Sequence, residues 1–298
     1  MGGVARYLRL VRAFARFSLL SELAFRANFL VKMAVEIIWL SLMLVFYHAV
    51  FRHTSHIENW DQAQFLCFLG CYYALSGTIE TFFLENCTEF AELVRSGNLD
   101  LVLLKPIDEQ FLVSCRRVDW STLPNVLQGA LVMGVALYNL HWPFDPLRLV
   151  AFGALFGCGV ALAGLMQIEG WSFDPGWAAL FAALFLCGVA MAYSFLLILA
   201  SLAVWLVRNQ SLMELWWLFT TLMRYPRDIY VGKLASPMGW FFSFVVPVLL
   251  VVWVPARTLL QVIDPLFVGA AAVAAALLLW LSRAFFRRAL RSYRSASS

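Results

Sequence analysis

Apolar residues run through this chain in long stretches, with polar residues gathered between them. A bilayer core about 30 Å thick takes roughly 20 residues at helical rise. Seven stretches meet or approach that length: 29–51, 62–84, 124–141, 148–168, 177–207, 238–254 and 266–282. At 1.5 Å per residue, 177–207 makes a helix of about 46 Å, so it tilts or projects beyond the hydrocarbon. The pattern predicts an all-α polytopic membrane protein, with residues 1–298 forming a single transmembrane domain.

Two polar segments keep helical periodicity. Residues 1–28 carry Arg6, Arg9, Arg12 and Arg16 among apolar positions, the pattern of an amphipathic helix lying at a membrane surface with its basic face toward anionic headgroups. In 85–120, Phe90, Leu93 and Val94 share one face of a short helix that Gly97 would end, and Leu99 to Leu104 are too apolar for a free loop before Pro106 stops them. Such a segment either lies on the headgroups or docks a cytosolic partner.

The basic residues set the expected orientation. Segments 1–28, 85–122, 208–237 and 283–298 hold five, four, four and five of the 22 Lys and Arg, which places all four, with both termini, in the cytoplasm. Two cytoplasmic termini need an even number of crossings, so one of the seven stretches does not simply span. Residues 142–163 and 171–192 resemble each other, sharing Trp-x-Phe-Asp-Pro (Trp142, Phe144, Asp145, Pro146 against Trp171, Phe173, Asp174, Pro175) and Cys-Gly-Val-Ala. That is a local duplication, too short for the half-molecule repeat of secondary transporters. Six crossings are expected, with 124–168 forming one crossing plus a re-entrant or interfacial piece broken at Pro143 and Pro146.

Composition strengthens this picture. The chain is 62% hydrophobic and 13% charged, against roughly a quarter charged in soluble domains. The six cysteines lie mostly in apolar runs and read as small buried hydrophobes. The first residues lack a compact apolar region followed by a small-residue cleavage site, so no cleaved signal peptide is expected.

Catalytic signatures are missing from the sequence. There is no GxxxxGK[ST], HExxH or GxSxG. His53 and His56 could ligate a metal from an external loop but read as solvated, so no metal site is expected. Asn86-Cys87-Thr88 matches a glycosylation sequon, without meaning on the cytoplasmic side. Within the spans, Lys32 and Glu36 are spaced to neutralise each other and Glu80 lies near a cytoplasmic end. An ion-coupled carrier would be expected to keep unpaired carboxylates near the midplane.

Three ordered blocks carry a family resemblance. Arg95-Ser96-Gly97-Asn98-Leu99-Asp100 with Leu103-Leu104-Lys105-Pro106, then Arg224-Tyr225-Pro226-Arg227-Asp228-Ile229-Tyr230, then Val246-Pro247 through Val254-Pro255-Ala256, resemble the signatures of bacterial ABC-2 type permeases. The closing Arg287 to Tyr293 is similar too. The resemblance runs from about residue 10 to the end. The departure from the family pattern is about 29 extra residues around the duplication.

That resemblance implies a six-helix subunit of an ATP-driven exporter in a bacterial inner membrane, paired with a second copy or a related permease. Two copies of a cytosolic ATPase would dock beneath it, binding the ATP and Mg, with no cofactor, catalytic residue or nucleic acid for this chain. It further implies a coupling helix after the second span, mapped here onto Glu89, Glu92, Leu93, Val94, Arg95, Gly97, Leu99, Asp100, Lys105 and Pro106. Arg224, Tyr225, Pro226 and Tyr230 are the family-motif residues. The alternatives are an ion-coupled secondary transporter or channel, which would work without ATP, and a membrane enzyme or scaffold.

Overall fold

The path of the chain follows from where its helices can start and stop. The structure is a computed structural model that describes residues 2–141, 175–206, 210–231, 236–260 and 263–293. Helix α1 (Gly2–Ala24) stops at Phe25, whose dihedrals are not helical, and α2 (Arg26–Phe51) follows. Strands β1 (His56–Ile57) and β2 (Trp60–Asp61) make a tight hairpin with Glu58 at φ 52°. Asp61 then caps α3 (Gln62–Ile79): its side chain accepts from the Gln64 amide at 2.8 Å and Gln64 answers to the Asp61 amide at 3.3 Å.

Helix α3 does not end at the expected limit of its span. It passes through a π turn at Glu80–Leu84 into α4 (Glu85–Ser96), and Gly97 closes it at φ 73°, a left-handed conformation that glycine adopts without strain. The segment carrying Phe90, Leu93 and Val94 is therefore the continuation of the second span. Short helices α5 (Leu99–Leu103) and α6 (Glu109–Cys115) and a 3₁₀ turn at Trp120–Thr122 lead into α7 (Leu123–His141). Then come α8 (Pro175–Leu206), α9 (Gln210–Met223), α10 (Arg227–Tyr230), α11 (Ser236–Trp240), α12 (Val248–Leu259) and α13 (Pro265–Ser292).

Among the described residues four helices are long and apolar enough to cross a membrane: Arg26–Phe51, Gln62–Ser96, Gly176–Leu206 and Pro265–Ser292. The 19 residues of α7 add about 28 Å over the stretch expected at 124–141. Residues 148–168 and the first repeat, 142–163, lie outside the described residues; the second repeat enters α8 at Pro175.

Two expectations change. The stretch 238–254 is not a straight span: Pro237–Val245 and Val248–Leu259 meet at a break with a bend of 84°. Pro247 lacks an amide hydrogen and precedes α12, so helical bonding cannot run through the break. Residues 142–168, where a re-entrant or interfacial piece is expected, lie outside the described residues.

The second change concerns 208–237, expected on the side opposite the 52–61 connection. Asp228 hydrogen-bonds Trp60 of that connection, so the 224–231 segment lies at the hairpin end. Arg224 and Arg227, expected with the 85–122 segment, therefore stand with the hairpin, past the 14-residue α9.

Close backbone approach builds the core. A Cβ on Gly129 would lie 2.3 Å from the Ala74 amide nitrogen, and one on Gly70 would lie 2.5 Å from that of Met133. Helices α3 and α7 therefore meet backbone to backbone, as small residues allow in lipid. On the other side, α8 packs on α13 and on α12, whose residues Val248–Ala256 are all buried.

Gly129→Val is expected to lower thermal stability in detergent, since overpacking typically costs about 1–3 kcal/mol. A Cβ on Gly269 meets nothing within 4 Å. Gly269→Ala should therefore leave the melting temperature unchanged or raised, as measured by fluorescence-detected unfolding.

Candidate coupling end and motif cluster

The end of the molecule that holds α1, here the inner end, is tied together by polar contacts to the 106–120 segment. Ser18 Oγ accepts from the Val118 amide at 3.2 Å and Glu22 accepts from the Trp120 amide at 2.9 Å. The Trp120 indole donates to the Ala15 carbonyl at 3.0 Å, and Arg6 donates to the Pro106 carbonyl at 3.1 Å. Tyr7, Phe14 and Ser18 face the protein, whereas Arg9, Arg12 and Arg16 lie on the opposite arc and are exposed, as is Arg6 on its flank. The helix expected over 1–28 is present, with Arg9, Arg12 and Arg16 on an exposed face.

Of the expected coupling residues, the fold brings some to the surface and turns others in. Glu89 pairs with Arg116 and, at 3.5 Å, with Arg117, while Arg117 also reaches Glu85 at 3.3 Å. Glu89 therefore ties α4 to the segment after α6. Leu93 and Val94 are half-buried against the molecule's own core, and Leu99 is buried. The surface is made instead by Glu92 and Arg95, joined by two contacts of 2.9 and 3.1 Å, and by Lys105 and Pro106.

Beside them stand two residues that the sequence reading passed over as site residues. Leu101 is 65% exposed and Leu104 80% exposed. Their i,i+3 spacing at α5 puts them on one face, opposite Leu99 and Val102, which are buried. That spacing was the available signal, but one apolar run could not show which of its leucines face out. Farther in, Gln110 and Ser114 both contact the Tyr193 hydroxyl, at 3.0 and 2.8 Å, and Arg283 pairs with Asp108 at 3.0 Å. These contacts join α6 to α8 and α13.

At the opposite, outer end, the 224–230 motif organises a cluster of rings and charges. Asp228 Oδ2 accepts from the Trp60 indole at 2.7 Å, the Trp253 indole at 2.8 Å and Arg257 at 3.1 Å. Arg257 sits 4.7 Å from the Trp60 ring centre and 5.4 Å from that of Trp253. Arg227 lies 4.8 Å from the Phe267 centre and donates to Ser243 at 3.0 Å. Pro226 is the N-cap residue of α10 and is buried, and Tyr225 and Tyr230 lie beside it. Arg224 donates to the Tyr72 hydroxyl at 3.4 Å.

Burial would raise the Asp228 carboxyl, but the donors Trp253, Trp60 and Arg257 outweigh it and hold the group below the ordinary carboxylate range. Two span charges also differ from expectation. Lys32 does not neutralise Glu36: it pairs with Asp119 at 3.9 Å, and Glu36 accepts from Asn125 at 3.0 Å.

Four long apolar helices and a bent apolar pair, Pro237–Val245 with Val248–Leu259, are those of a multi-pass membrane protein. The chain matches the ABC-2 family transporter protein model over residues 37–173 and 166–297. It belongs to that family, and so is a permease component of an ABC transporter. Each matched segment contains one complete Trp-x-Phe-Asp-Pro sequence. No curated protein and no solved structure matches the chain.

Asp228→Asn keeps the shape but leaves Arg257 without its charge partner, and breaking such a pair typically costs about 3–5 kcal/mol. Because Asp228 is held low, its contribution is present above the ordinary carboxylate range and is lost as pH falls through the lowered value. Native protein should therefore lose stability on acidification, and the Asn variant should lack that component when melting is followed against pH.

Proposed function

We propose that this chain is the membrane half of an ATP-driven exporter and that its inner end docks a separate cytosolic ATPase. The observation that carries the reading is the exposed pair Leu101 and Leu104, beside the Glu92–Arg95 ion pair and Lys105. A docking surface transmits force when apolar side chains are buried in the partner and charges fix the register. Two leucines offer burial of about 1.5–3 kcal/mol each. The contact lies one helix beyond the mapped Leu93 and Val94, which the molecule uses for its own packing.

The rest of the proposal follows from the family and the fold. The transporter works as a pair of permeases, the same or related, over two ATPases that supply the ATP and Mg sites, in a bacterial inner membrane. Both termini face the cytoplasm, with α1 on the inner headgroups. Spans α2, α3–α4, α7, α8, α9 and α13 make six crossings, and α11–α12 make a re-entrant pair from the outside. The 142–163 and 171–192 segments are a local duplication inserted into this plan, which the split family match supports.

The chain alone in nanodiscs should release no phosphate from ATP. Leu101→Asp with Leu104→Asp should reduce ATPase co-purification more than tenfold and leave insertion and melting unchanged. Leu93→Asp should instead lower stability. Turnover by the isolated chain, or a fully retained complex in the Leu101/Leu104 variant, contradicts the proposal.

A further inference from the structure

Helices α3 and α7 touch at Gly70 and Gly129 and part toward the outer end. One turn outward on each, Leu66 and Val132 line a cavity of about 290 Å³. Helix α2 supplies its third wall from Leu44 to Phe51, a length of about 10 Å that runs to the outer end of that helix. Tyr47 stands in the same wall and is held by the Phe65 ring, with centres 4.7 Å apart. On the inner side, Asn125 donates to Glu36 of α2 at 3.0 Å and to Glu80 at 3.1 Å, which pins α2 against α7. The cavity is therefore a wedge, closed inward and opening outward. Val132 is 5% exposed, whereas His48 and Gln62 at the outer margin are exposed.

The wedge is apolar within and polar at its mouth. Water does not settle in an apolar cavity, and an empty one leaves its lining without dispersion partners. Hydrocarbon is the solvent at this depth, so an acyl chain is the filler at hand. A second copy of the permease fits less well, since a helix with its side chains is about 10 Å across and would cover the wedge rather than enter it. At the mouth, the His48 ring and the Gln62 carboxamide have no hydrogen-bond partner among the described residues. Arg52, four residues beyond His48 on the same helical face, is exposed and in no ion pair among the described residues. Asp61, beside Gln62, is engaged in capping α3.

We propose that the wedge is a phospholipid site, holding one acyl chain of an outer-leaflet lipid with its phosphate at His48, Arg52 and Gln62. The chain fills the apolar part. The phosphate offers acceptors to donors that otherwise have none, and its charge complements Arg52. A lipid seated there props α2 against α3 and α7, and α2 has need of it, because Leu40 and Tyr47 are its buried residues. The site lies in the outer half and stands or falls separately from ATPase docking.

Photo-crosslinking of the full chain in nanodiscs tests this, with phosphatidylglycerol carrying a diazirine midway along one acyl chain as the probe. Peptide mapping should find adducts on Leu66 or Val132, which line the wedge, as well as on Leu42 and Val45, which are 57% and 67% exposed. A diacylglycerol with the same labelled chain lacks the phosphate and should label the wedge about fivefold less. Arg52→Gln should lower wedge labelling by phosphatidylglycerol to a similar degree. Val135→Trp fills the wedge and should reduce wedge labelling more than tenfold, with labelling of Leu42 and Val45 unchanged. The native map and the diacylglycerol comparison need no variant and decide the matter if a variant fails to fold. Adducts confined to Leu42 and Val45 mean that lipid only coats the surface and that protein or nothing occupies the wedge, which overturns the proposal. Equal wedge labelling by diacylglycerol, or undiminished wedge labelling in folded Val135→Trp, overturns it too.

Discussion

The arrangement of the outer half depends on satisfying one carboxylate. Asp228 is only 16% exposed at its side chain, and Arg257, its ion partner, 17%. A carboxylate so placed needs donors, and the chain supplies them from places far apart in sequence: Trp60 at the hairpin and Trp253 and Arg257 on α12. Both tryptophan rings then serve a second purpose as faces for the Arg257 guanidinium. Satisfying this acid fixes the hairpin, the motif segment and the buried α12 at the same end of the bundle.

The inner half is held differently, by many exchanges among α1, α4, α6, α8 and α13. These contacts join the α4–α6 surface to α8 through Tyr193 and to α13 through Arg283. Close backbone approach at Gly70 and Gly129 holds α3 against α7.

Much of this was legible in the sequence, for identifiable reasons. Apolar length located α2, α3, α7, α8 and α13, since hydrocarbon thickness leaves few ways to satisfy a backbone. Gly97 was readable as a helix end because its left-handed conformation suits glycine. The bend at Val246-Pro247 was not read, since an apolar run looks the same whether it crosses straight or turns back inside the protein. The place of 224–231 beside the hairpin has no sequence signal for a related reason: the 14-residue α9 does not reach the length that marks a span. Leu93 and Val94 were readable as apolar face residues, but only the fold shows that this face meets the molecule's own core while Leu101 and Leu104 point away. The Glu36, Glu80 and Asn125 grouping joins three helices and has no local signature.

The 224–230 motif and the 52–61 hairpin share one end of the molecule, opposite the α4–α5 surface. Impermeant thiol labelling of intact cells tests it on a background without native cysteines, using Asn59→Cys, Tyr225→Cys and Ser96→Cys. Labelling is expected at positions 59 and 225 from outside, and at position 96 only after the membrane is opened. Position 225 reacting together with position 96, and not with position 59, would contradict it.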